Sequence, residues 1–122
     1  MCSARRSPAR ERRIANEIIV DAYTESERAM GWYHYLDNQL HFPFPARCIS
    51  VRSISPLERE ERVRVVGMAP EEECMQEVFV RIRWGKRSLA VPLIQLEPRG
   101  ADRETRQAVE DWHYWVGQGF IF

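Results

Sequence analysis

The chain has 122 residues and a formal net charge of zero, with 18 basic side chains against 18 acidic ones and 44% hydrophobic residues. That length suits one domain with a core of its own, and that apolar content excludes wholesale disorder. No apolar run approaches the roughly 20 residues of a membrane-crossing helix, and the balanced charge argues against the broad basic face of a nucleic-acid binder.

The opening stretch, MCSARRSPARERR, crowds Arg5, Arg6, Arg10, Arg12 and Arg13 against the lone Glu11. It has no apolar leader, so a soluble cytoplasmic protein is expected. Residues 1–6 read as a disordered basic tail. Ser7-Pro8 is a helix start, with serine as cap and proline in the first turn. Ile14, Ala15, Ile18, Ile19 and Ala22 follow at helical spacing and predict one apolar face. Thr24 and Glu27 form a capping-box pattern, so a second helix is expected from Thr24, burying Ala29, Tyr33, Leu36 and Leu40 with Trp32 beside them. Gly31 inside that helix costs about 1 kcal/mol relative to alanine, which points to close backbone contact.

Pro43 and Pro45 end the helical stretch, and the period changes to alternation. ARCISVRSI reads as a strand. In ERVRVVGMA, Val63 and Val65 share one face, with Arg62 and Arg64 on the other. In EVFVRIRWG, Val78, Val80, Ile82 and Trp84 are expected inward, and Phe79, Arg81 and Arg83 outward. Gly85 opens a tight turn into RSLAVPLIQLEP, where Pro92 marks an edge strand or a strand end. A last helix is expected from Asp102, burying Ala108, Val109, Trp112, Trp115 and Val116 and stopping at Gly117 and Gly119. The expected class is therefore α+β. It is a small SH3-like antiparallel β barrel or curled sheet over 45–98, flanked by N-terminal helices over 7–44 and a C-terminal helix and tail over 99–122, folded as one domain from 7 to 122.

The chemistry is sparse. Cys2, Cys48 and Cys74 are far apart and make no C-x-x-C, so neither a disulfide framework nor a zinc knuckle is expected. His34, His41 and His113 sit in no metal-binding motif, and no phosphate loop or nucleophile elbow occurs, so no enzyme is expected. The aromatics of GWYHYL and DWHYW fit buried helix faces better than a cage for a methylated cation. The densest polar feature is GMAPEEECMQEVF, with Glu71, Glu72 and Glu73 in a row and Glu77 beyond them. Clustered carboxylates beside backbone carbonyls suit calcium, which takes six to eight oxygens. The same pattern also describes a solvated acidic turn. In extended chain Glu71 and Glu73 would converge while Glu72 points away. No EF-hand loop is present.

Taken in order, EIIVDAYTESERAMGWYHYLDNQLHFPFPARC, SPLEREERVRVVGMAPEEEC, VPLIQLEP and AVEDWHYWVGQGF resemble the small calcium-binding proteins of the cyanobacterial CcbP family, over about residues 14–120. The resemblance implies a cytoplasmic, non-enzymatic protein that binds Ca2+ weakly through clustered surface carboxylates and helps set free calcium. On that implication the candidate ligands are Glu71, Glu72, Glu73, Glu77 and Asp37, the last following the GWYHYL motif. The implied partner is the calcium ion, with no membrane and no nucleic acid, and no protein partner is specified. One departure stands out: such binders are expected to be markedly acidic, whereas this chain is neutral. Arg62, Arg64, Arg81 and Arg83 therefore either lie away from the glutamates or pair with them. The alternative reading is an SH3-like interaction module, taking a peptide on exposed aromatics or RNA on the arginine-bearing strands.

Overall fold

Ser7 opens the first helix, α1 (Pro8–Arg13), its hydroxyl accepting the Arg10 amide at 3.3 Å. The computed structural model describes residues 7–118, so the expected basic tail over 1–6 and the stop at Gly119 lie outside the described residues. After Arg13 the chain widens into a π-helical turn, Ile14–Ile18, closed by the Ile19 amide on the Ile14 carbonyl at 2.9 Å. This turn narrows the apolar face: Ile14 and Ile18 are buried, but Ala15 is exposed. The capping box forms as its residues require. Thr24 Oγ1 accepts the Glu27 amide at 3.1 Å, and Glu27 Oε1 accepts the Thr24 amide at 3.1 Å. The second helix, α2 (Glu25–Gln39), buries Ala29, Trp32, Tyr35 and Leu36.

Five strands follow: β1 (Phe44–Cys48), β2 (Arg62–Met68), β3 (Phe79–Trp84), β4 (Arg87–Pro92) and β5 (Leu96–Pro98). They pair antiparallel in the order β4-β3-β2-β1-β5, which leaves β4 and β5 as edges. The barrel expectation is corrected here. The sheet is open, because β4 and β5 do not pair with each other, and an SH3-like assignment is not carried by this topology. The interaction-module reading loses its structural basis with it. Gly85, at φ +62°, makes the turn between β3 and β4, and Pro92 ends edge strand β4.

The strands alternate as their sequences dictate. Ala46, Val65, Val80, Ile82 and Val91 are buried, whereas Arg62, Arg64, Arg81 and Arg83 are exposed. Trp84, expected inward, is 36% exposed at the end of β3. The last helix, α3 (Arg103–Gly117), starts on Asp102, whose side chain accepts the Thr105 amide at 2.8 Å. It buries Ala108, Val109, Trp112 and Trp115 against α2 and the sheet side. The Trp32 ring meets those of Trp112 at 5.1 Å and Trp115 at 5.8 Å, so the aromatics of GWYHYL and DWHYW are core.

The basic N-terminal stretch is partly structural. Asp111, fully buried on α3, accepts Arg10 Nη1 at 2.9 Å, Arg13 Nε at 2.9 Å, Arg13 Nη2 at 2.7 Å and the Tyr35 hydroxyl at 3.0 Å. A buried carboxylate persists only when its charge and lone pairs are met, and two guanidiniums and a phenol meet them here. This group ties α1, α2 and α3 together.

Candidate metal site

The chain leaves the sheet after β2 at Met68 and returns at β3, and the acidic residues lie on that excursion. Ala69 is buried, its amide bonding the Phe79 carbonyl at 3.1 Å. Pro70 then starts a 3-10 turn, Glu71–Cys74, in which the Glu73 amide bonds the Pro70 carbonyl at 2.9 Å. Proline supplies the fixed φ such a turn start needs. The extended-chain expectation for Glu71 and Glu73 is therefore corrected. Three residues per turn splay successive side chains by about 120° rather than setting alternate ones on one face. Cys74 anchors the turn inward; it is buried, and burial pushes its thiol up, disfavouring the thiolate.

This turn packs against α2. Tyr33 and Asp37 lie four residues apart on that helix, hence on one face. The Tyr33 hydroxyl donates to the Ala69 carbonyl at 3.0 Å, pinning the start of the excursion to the helix. Burial raises the Tyr33 phenol, and the charges of Cys74, Asp37, Glu71 and Glu72 raise it further. Three of the five candidates, Asp37, Glu71 and Glu72, thus act on one phenol, while Glu73 acts on Cys74. Asp37, Glu71, Glu72 and Glu73 are exposed, and none has a cationic partner among the described residues. The donor set is all oxygen, which fits a hard cation.

Glu77 stands apart. Its two oxygens take Arg52 Nη1 at 2.7 Å and Nη2 at 3.1 Å, a bidentate pair that raises the Arg52 guanidinium. A cation at Glu77 has to displace Arg52. The arginines flagged in the sequence, by contrast, leave Glu71, Glu72 and Glu73 alone. A family model described as calcium binding, of CcbP type, matches residues 12–116.

The chain belongs to the CcbP calcium-binding family.

Two solved structures are similar over 100% of this chain and 100% of their own: the crystal structure of Anabaena CcbP, at 40% identity and a TM-score of 0.88, and a calcium binding protein in the calcium-binding form, at 40% identity and a TM-score of 0.86. No curated protein sequence matches. The α+β architecture described above is thus one that CcbP shares. The family is described by an ion it binds rather than by a reaction.

Sequence reasoning missed three participants. Tyr33 was read as core, although its i, i+4 relation to Asp37 was available. Arg52, in a loop, gave no signal. The third is a group at the other end of α2: among the described residues, His41, Asp102 and Glu104 are the one set of three metal-capable side chains whose donor atoms lie within 4.8 Å of one another. It contains none of the five candidates. It suits calcium poorly, because Asp102 already caps α3 and bonds His41 Nδ1. Hydrogen bonds from Thr105, with help from His41, hold the Asp102 carboxyl down at about 2, and the Asp102 bond raises His41.

The raised His41 contributes stability fully below its ordinary 6.5 and loses it as pH rises through the raised value. The depressed Asp102 contributes above its ordinary 3.8 and loses it as pH falls towards about 2. The clasp is therefore complete between those ordinary values. NMR titration of the His41 ring is expected to give a midpoint above 6.5, returning towards it in Asp102→Asn. An identical midpoint in that variant would show that the clasp does not form in solution.

Proposed function

We propose that this chain is a non-enzymatic calcium-binding protein that takes Ca2+ weakly on the acidic turn and the facing helix and buffers free calcium in the cytoplasm. Asp37, Glu71, Glu72 and Glu73 would supply carboxylate oxygens, water would complete the shell, and Glu77 would join only by releasing Arg52. The observation that carries this reading is the packing of the exposed acidic turn against α2, the helix that carries Asp37, with no guanidinium or ammonium paired to Asp37, Glu71, Glu72 or Glu73 among the described residues. Like charges held together on a folded surface repel, and a divalent ion relieves that repulsion. Membership of a family described as calcium binding supports the choice of ion.

High ligand charge on an exposed turn gives affinity in roughly the micromolar-to-millimolar range. Titration calorimetry with calcium, and with magnesium as the comparison, is expected to show saturable calcium binding. Neutralising Glu71, Glu72 and Glu73 together as glutamines is expected to weaken it about tenfold or more, about 1.4 kcal/mol. Calcium uptake should also lower the Tyr33 midpoint, because it neutralises the carboxylates that raise the phenol. A flat trace at millimolar calcium removes the reading, and unchanged affinity in the triple variant moves the site elsewhere.

A further inference from the structure

We propose that the outer face of β2 and β3 docks the acidic turn of a second copy of this chain, giving a head-to-tail, salt-sensitive self-association. This goes beyond calcium binding and does not depend on it. The register that pairs Val65 with Ile82 puts Arg64 and Arg83 on the same, outward face of the sheet, with Arg62 about 7 Å along from Arg64. All three are exposed, and none has a carboxylate partner among the described residues.

The contrast with the other arginines is informative. Arg10 and Arg13 are spent on Asp111, Arg52 on Glu77, and Arg47 on Glu60 and Glu97. Arg81 adds its charge to the same face but is fixed. Its Nε donates to the Met68 carbonyl at 2.9 Å, and its guanidinium lies over Gly67, where a Cβ would come within 2.4 Å of Nη2. The result is an outward face on which Arg62, Arg64 and Arg83 are exposed and unpaired among the described residues, beside Arg47, whose charge is met by Glu60 and Glu97.

The complementary surface is on the same molecule but out of its own reach. β2 runs from Arg62 to Met68 and then feeds the acidic turn, and antiparallel β3 returns from that end towards Arg83. Arg62, Arg64 and Arg83 on one side and the turn glutamates Glu71, Glu72 and Glu73 on the other therefore lie towards opposite ends of one strand pair, with about 17 Å of chain from Arg64 to Ala69. That separation exceeds the Debye length of about 10 Å at 0.1 M salt, so the two groups do not neutralise each other. A second copy can supply what the first cannot. The net charge is zero and the isoelectric point is 6.8, so no long-range repulsion opposes the approach. The contact joins two different surfaces, so it extends into short chains rather than closing as a symmetric dimer.

Sedimentation velocity on the full chain tests this. At about 10 mM ionic strength, where charges reach about 30 Å, the weight-average mass is expected to rise with concentration above 14.4 kDa. At about 1 M, where they reach about 3 Å, it should return to the monomer value. Neutralising Arg62, Arg64 and Arg83 together as glutamines, or Glu71, Glu72 and Glu73 likewise, should each abolish the rise. Control triples with the same change in net charge, Arg12, Arg59 and Arg103 to glutamine or Glu17, Glu25 and Glu58 to glutamine, should leave it, and circular dichroism confirms folding throughout. A wild-type chain that stays monomeric at low salt overturns the proposal, as do controls that act like the site variants. Calcium at constant ionic strength should disperse the association if the acidic turn is also the calcium site. If salt and the site variants disperse it but calcium does not, the docking stands and the calcium reading of the turn fails.

Discussion

Asp111→Asn is expected to destabilise the fold by about 3–5 kcal/mol, the cost of breaking a buried ionic group from one side. The carboxylate is fully buried and accepts four hydrogen bonds from Arg10, Arg13 and Tyr35. An asparagine keeps one oxygen and turns an amide donor towards donors. It leaves the partly buried Arg13 guanidinium without its carboxylate and Arg10 with only the more exposed Glu110 at 3.5 Å. A chain of this size should lose about 10–20 °C in melting temperature. Tyr35 gives an independent readout: burial, and after it the Asp111 carboxylate, push its phenol up to about 12. Removing the negative charge should bring the midpoint down, because the ionised phenol then faces the Arg13 guanidinium without the Asp111 carboxylate. Urea denaturation and ultraviolet titration of tyrosine check the two effects. A loss below about 1 kcal/mol would mean that water already reaches the group. The penalty belongs to the half-broken network, so replacing Asp111, Arg10, Arg13 and Tyr35 together with apolar residues of similar volume should recover much of it.

That network shows what could and could not be read in advance. The capping box at Thr24, the start of α3 at Asp102 and the alternation in β2 and β3 were legible because each is local chemistry. Asp111 lies three residues after Ala108 and four before Trp115, on the stripe whose spacing predicts burial. Its spacing gave its position. Its partners lie 98 to 101 residues away for the arginines and 76 for Tyr35, which no local pattern encodes. Sheet closure failed for a related reason. A period of two says which face each residue takes but not which strand sits beside which, and β1 pairs with β5 rather than leaving its edge to β4. The strand expected to run on through ARCISVRSI stops at Cys48, where the Ile49 amide turns to the Gln95 carbonyl at 2.7 Å.

The acidic turn was legible as composition and not as shape. Three consecutive glutamates advertise charge, but Pro70 and the buried Cys74 decide that the segment winds into a 3-10 turn. Whether Glu77 is open depends on Arg52, 25 residues away in a loop. The neutrality of the chain raised the question of whether arginines quench the glutamates. The topology of β2 and β3 answers it by placing Arg62, Arg64 and Arg83 towards the end of the ladder away from the turn, while Arg81, nearer the turn, is held on the Met68 carbonyl.

Gly31→Val is expected to cost about 3 kcal/mol, the upper part of the range for forcing atoms into a packed site. Helix propensity alone argues the other way, since glycine in a helix interior is worse than ordinary residues by up to about 1 kcal/mol. The packing decides. A Cβ at Gly31 would stand 2.3 Å from the Ile18 carbonyl oxygen and 3.3 Å from the Ile18 carbonyl carbon, both backbone atoms. No side-chain rotation relieves that contact, so the π-helical turn or α2 has to move. Ile14 and Ile18 bury their side chains through that turn, and moving it uncovers them. Gly31→Ala isolates the clash from the extra methyl groups: it gains propensity and keeps the collision, so it should still be the less stable protein by urea denaturation. An alanine variant at least as stable as the wild type would show that the helix and the turn do not approach so closely. The displacement should also reach the acidic face, because Tyr33 lies two residues beyond Gly31 and carries the bond to Ala69. Calcium affinity in Gly31→Val should therefore fall even though no carboxylate is altered, whereas Asp111→Asn, whose bonds hold the opposite side of α2, should lose stability with a smaller change in calcium binding by the molecules that remain folded.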